Sequence, residues 1–158
     1  MALLLLGLVG ASAPYRRRPS TTTPITSLPL TVTAPGIYCL TQDIATNLAS
    51  GAAITIAANN VVLDLNGHGL GNLAAGLGTQ AGGIFAFQRK NLTIKNGTVR
   101  GFLRGIFLDD LNTFTTSQGQ VVEDIRADQN TLTVDTISSL DTLEKRLFLL
   151  PRSFFLPL

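Results

Sequence analysis

His68 is the only histidine among 158 residues, in the run Asn66-Gly67-His68-Gly69-Leu70. An imidazole that titrates near neutral pH is the natural general base, so His68 is a catalytic candidate. Its glycine neighbours equally suit an exposed corner residue, and no partner is assignable from sequence. Asp109 and Asp110 form a second candidate group with Glu123, Asp124 and Asp128. Calcium takes six to eight oxygen ligands, so a calcium site requires several of these carboxylates to converge, with Asp109, Asp110 and Asp124 foremost. The bland reading is a solvated turn, where Asp is at home. Zinc is excluded in practice, because one His and one Cys cannot supply the usual ligand set.

Four further charged residues suit ligand contact. Asp64 and Lys95 occupy outward positions of similar segments and are expected to stack, either as a pair that orients a ligand or as an ordinary surface ion pair. Arg100 and Arg104 offer guanidinium groups that bind carboxylates, such as that of a uronate, in bidentate fashion. Asn91-Leu92-Thr93 and Asn96-Gly97-Thr98 match the N-glycosylation sequon. Gly67, Gly69 and Gly71 alternate without a strand-to-helix context, so they are no dinucleotide fingerprint. Cys39 stands alone, which precludes an internal disulfide.

Composition bounds the elements that must position these groups. The chain is 45% hydrophobic and 14% charged, against a usual charged share of about 25%. That balance opposes disorder, and the absence of sustained heptads opposes a coiled coil. Fifteen Gly, nineteen Thr and nine Asn favour short strands and frequent corners. The sequence pI near 9.0 is a property of the ends. Arg16, Arg17 and Arg18 lie at one, and Lys145, Arg146 and Arg152 at the other. Residues 19–140 hold 6 basic and 8 acidic residues, a net of 6 − 8 = −2. Nucleic acid is therefore not an expected partner.

The apolar run Leu3 to Val9, followed by Ala11-Ser12-Ala13, has the form of a signal peptide over residues 1–13, too short to span a bilayer. It implies a secreted, cell-surface or periplasmic location. Residues 14–24, with three prolines, read as a linker.

Internal repetition decides the fold. Asn60-Val61-Val62-Leu63-Asp64-Leu65-Asn66-Gly67 aligns with Asn91-Leu92-Thr93-Ile94-Lys95-Asn96-Gly97, and Val121 to Ala127 is a weaker third copy. Ala53 to Ile56, Gly83 to Phe87 and Gly105 to Leu108 precede them. Each unit reads as two short strands and two corners. Like strands recurring once per coil favour a parallel β-helix over residues 25–136, with Asn66 and Asn96 stacked at a corner and Gly67 and Gly97 turning it.

The segment Ile25 to about Asn130 resembles the right-handed parallel β-helix proteins of the pectate-lyase-like superfamily. The resemblance is carried by Pro35-Gly36-Ile37-Tyr38-Cys39-Leu40-Thr41, Asn60 to His68, and Asn96-Gly97-Thr98-Val99-Arg100-Gly101-Phe102. It implies an all-β solenoid, here of about three coils. Where members of that superfamily are enzymes, it also implies acidic clusters that hold calcium or paired aspartates, roles that would fall to Asp109 and Asp110. From Leu140 the leucines at 143, 147 and 150 follow helical spacing, so residues 137–158 read as an atypical tail, either a cap or an out-of-frame end. The expected function is a non-catalytic, exported module whose extended face contacts a polysaccharide or cell-surface polymer. The alternatives are a truncated polysaccharide lyase, hydrolase or epimerase, and a structural remnant.

Overall fold

The computed structural model describes residues 21–109 and 118–135. β1 (Thr22–Ile25) begins the stack, and the first full turn on it is built from β2 (Leu30–Val32), β3 (Gly36–Leu40) and β4 (Ile44–Ala45). The second consists of β5 (Ala52–Ile56), β6 (Val61–Asp64) and β7 (Gly69–Gly71). Then follow β8 (Gly82–Phe87), β9 (Leu92–Arg100), β10 (Arg104–Asp109), β11 (Val121–Asp128) and β12 (Leu132–Asp135). Every ladder is parallel, and each joins a strand to the one stacked on it one turn later. One sheet runs β1-β3-β6-β9 with β11 beyond β9, and β4 and β7 continue it alongside the second half of β9; the other runs β12-β10-β8-β5-β2. The chain is a parallel β-solenoid of about three turns, all-β as expected.

Two details differ from the expected unit. A third short strand, β4 or β7, follows the second in the early turns, and in β9 and β11 it fuses with it. The strand β1 also begins at Thr22, within the segment read as linker. The leader 1–13, linker residues 14–20, Asp110 and the tail 137–158 lie outside the described residues.

Alternation along each strand sends every second side chain inward, and parallel register stacks like on like. Ile54, Ile84 and Ile106 form one ladder in register, and each is at most 1% exposed. Ile56, Ala86 and Leu108 form the next. From the facing sheet, Val61 pairs with Leu92, Leu63 with Ile94 and Leu70 with Val99. All six are fully buried. Burying an aliphatic side chain of this size contributes about 1.5–3 kcal/mol, so these ladders supply the cohesion between turns.

Corners are fixed by columns of left-handed residues. Asn60, Asn91 and Gly119 form one, at φ of 56°, 54° and 65°. Asn66, Asn96 and Asp124 form another, at 53°, 58° and 50°. Asn and Asp tolerate this region better than other side chains, because a short polar group bonds locally. The weak third repeat is genuine: β11 pairs with β9 so that Asp124 takes the place of Asn96. The expected amide exchange occurs at the other column, where Asn91 Nδ2 donates to Asn60 Oδ1 at 2.8 Å. Asn66 Nδ2 instead donates to the Leu40 carbonyl at 3.3 Å, and Asn96 Nδ2 to Asp64 Oδ1 at 3.1 Å. Gly67 turns the corner at φ 80° and its N–H donates to the Asn96 carbonyl at 2.7 Å. A Cβ at Gly97 would collide with the Leu65 side chain and the His68 carbonyl.

A third set of corners is held by buried amides. Asn72 is 0% exposed; its Oδ1 accepts from Leu48 N–H at 2.7 Å and from Thr46 Oγ1 at 2.8 Å. Its Nδ2 donates to the Leu48 carbonyl at 3.0 Å and to Thr79 Oγ1 at 3.3 Å. Asn130 repeats the device two turns on. Its Oδ1 accepts from Phe102 N–H at 3.0 Å, and its Nδ2 donates to the Val99 carbonyl at 2.9 Å.

Candidate binding groove

The tripeptide Gly-Ile-Phe occurs in β8 (Gly83-Ile84-Phe85) and again in β10 (Gly105-Ile106-Phe107). Because Ile84 and Ile106 fill the core, the following Phe residues face outward, and register places Phe107 beside Phe85. Their ring centroids are 5.7 Å apart with planes tilted by 30°. The Arg104 guanidinium lies 4.6 Å from the Phe107 centroid, a cation–π geometry that holds the charge over the ring. Next to Arg104 in register stand Gly82 and, one turn earlier, Ala52. These small residues leave a depression, and the result is a groove of about 390 Å³ lined also by Ala81 and Leu103. Apolar ring faces beside a positioned cation fit a ligand with one apolar face and an anionic group.

Of the residues singled out from sequence, Arg104 belongs to this groove. Arg100 does not share its face: it ends β9 in one sheet, whereas Arg104 begins β10 in the other, across the corner Gly101 to Leu103. Asp109 closes β10 next to Phe87 in register. Asp124 sits at the left-handed corner of β11, in the opposite sheet. Of the described members of that acidic group, Asp109 and Asp124 thus lie in different sheets, and Asp110 is outside the described residues. Among the described residues, no three His, Cys, Asp or Glu side chains converge as a metal site requires.

Asp64 and Lys95 do stack, in register and 3.6 Å apart. Asp64 Oδ1 also accepts from Asn66 N–H at 2.8 Å and from Asn96 Nδ2 at 3.1 Å. This carboxylate braces a corner, and its partly exposed ion pair with Lys95 adds about 0–1 kcal/mol.

His68 meets a partner that sequence reasoning missed. Its Nδ1 lies 3.3 Å from Asp43 Oδ1, which also accepts from Gly69 N–H at 2.8 Å. The Gly69 backbone hydrogen bond, helped by His68 and by the positive charge of Arg100, holds the Asp43 carboxyl below its ordinary value of 3.8. A depressed carboxyl contributes stability above its unfolded value, and loses that contribution as pH falls through the native one. Acidification below about 3.8 is thus expected to release the Gly69 amide. An NMR titration should show the Gly69 amide shift following the Asp43 carboxyl. In Asp43→Asn that acid-dependent shift should vanish, and its persistence would contradict the assignment.

Among the described residues no helix is long and apolar enough to cross a membrane. Compared with protein-family models, curated proteins and solved structures, the chain matches none.

Proposed function

We propose that the chain is an exported, non-catalytic β-solenoid module of the pectate-lyase-like kind that binds a polysaccharide or cell-surface polymer, acidic sugars included, on the outer wall of its second sheet. The observation that carries this reading is the groove in which Phe85 and Phe107 stack and Arg104 is held over Phe107. The C–H face of a sugar ring packs on an aromatic ring, and a guanidinium pairs with a uronate carboxylate. The non-catalytic part is supported by the separation of Asp109, at the end of β10, from Asp124, in the opposite sheet. Export rests on the leader-like residues 1–13, and the affiliation rests on the repeat motifs.

Gly82 provides a clean test. A Cβ there would meet nothing nearer than the Gly51 carbonyl at 3.8 Å, and Val suits a strand. Gly82→Val should therefore keep the melting temperature while filling the groove. In calorimetric titrations against polygalacturonate, Gly82→Val and Phe107→Ala should each weaken binding about tenfold or more. Binding that is unchanged in both would reject the groove. New reducing ends or unsaturated products would reject the non-catalytic reading in favour of an enzyme fragment.

A further inference from the structure

The groove differs in chemistry from one end to the other. Its lining crosses three turns, those of β5, β8 and β10, which are two inter-strand spacings, ~10 Å in all. Two linked pyranose rings fill that length. At the β10 end the Arg104 guanidinium is held over Phe107. Toward β5 the lining carries no charge: Ala52 stands beside Gly82, and Thr55 beside Phe85, in register. Gly82 contributes no side chain, and the exposed Gln80 lies at the rim. Gln80 Nε2 donates to the Gly78 carbonyl at 3.5 Å, long for a hydrogen bond. Among the described residues that line the groove, Arg104 is the one charged side chain.

We infer, resting on the groove reading above, that the ligand alternates in charge: an acidic sugar at Arg104 and Phe107, then a neutral one at Phe85, Thr55 and Ala52. A carboxylate placed in the uncharged half would lose water and meet no cation, which disfavours a polymer with an acid on every residue. A neutral ring there packs its C–H face against Phe85. Its hydroxyls are matched by the Thr55 hydroxyl and the Gln80 amide, each able to donate and to accept. A wholly neutral polymer gains nothing from the guanidinium charge.

The test titrates three hexasaccharides into the wild-type chain, Gln80→Lys and Phe107→Ala, at about 0.15 M salt to screen long-range attraction. They are hyaluronate, in which glucuronate and N-acetylglucosamine alternate, hexagalacturonate, and neutral cellohexaose. The wild type should bind the hyaluronate hexamer about tenfold more tightly than either of the others. Gln80 lies two residues before Gly82, the register partner of Arg104, so Gln80→Lys brings a second cation to the uncharged half. It should tighten hexagalacturonate about threefold or more and narrow the preference. Phe107→Ala should weaken all binding about tenfold. Wild-type binding of hexagalacturonate or cellohexaose as tight as that of hyaluronate overturns the alternation, as does a preference unchanged in Gln80→Lys. The groove then still stands if Phe107→Ala weakens binding. Failure of the wild type to bind any of the three overturns the groove, and the alternation with it.

Discussion

Asn72→Ala is expected to lower the unfolding free energy by about 2–4 kcal/mol, because the loss is one of polar satisfaction rather than volume. The substitution strands the Leu48 N–H and removes the amide's bonds to Thr46, Thr79 and the Leu48 carbonyl, although Thr46 Oγ1 keeps the Gly71 carbonyl and Thr79 Oγ1 keeps the Leu48 carbonyl. The one group left without a partner costs about 1–3 kcal/mol, and each further hydrogen bond lost about 0.5–1.5 kcal/mol. A domain of this size has a total stability of about 5–15 kcal/mol, so the loss is a large share of the whole. Exposed Asn47 is the control, with a change within about 0.5 kcal/mol on replacement by Ala. Urea unfolding of both variants decides the matter. A loss below about 1 kcal/mol at Asn72 would mean that its bonds do not tie the first turn to the second.

The second large effect is expected at Ile84→Ala, with a loss of about 2–5 kcal/mol. Ile84 is 0% exposed and lies between Ile54 and Ile106, so truncation opens a gap in the middle of a ladder that has neighbours on both sides. Stability in a stacked repeat is the sum of each turn and its contacts with adjacent turns. Removing one rung therefore weakens two interfaces. Ile84→Val should cost only about 0.5–1.5 kcal/mol, since most of the side chain remains. Equal effects for Val and Ala in urea unfolding would show that the ladder is not close-packed at this rung.

Much of the solenoid can be read from the sequence, because it is written as near-copies. The alignment of Asn60 to Gly67 with Asn91 to Gly97 contains the register of β6 on β9, and with it the stacking of Asp64 on Lys95. The aromatic pair was also within reach. Gly83-Ile84-Phe85 and Gly105-Ile106-Phe107 are as alike as the Asn-Gly copies. They align as strands of the repeat, and the outward pairing of their Phe residues follows once the Ile side chains are known to face the core. Asp43 is harder to find: it precedes the two-residue strand β4, and only the pairing of Ile44 with Leu70 brings it to Gly69 and His68. Asn72 and Asn130 look like any turn asparagine, and whether such an amide points into solvent or into the next turn is decided by tertiary packing. The separation of Arg100 from Arg104 has the same origin, since three residues at a corner move the chain from one sheet to the other.

That corner also bears on how the molecule can change over time. At equivalent positions the chain runs through residues 46–51, 72–81, 101–103 and 129–131, yet the isoleucine ladder beside them keeps its register. Length here is decoupled from the cohesion of the stack, since a longer excursion adds little closure entropy and displaces no rung. Insertions and deletions at this edge are inherited at small cost to folding, whereas the same events inside a strand would turn its core face outward. The edge beside the groove can thus change length with the stack intact, whereas the wall behind it tolerates no slip of register.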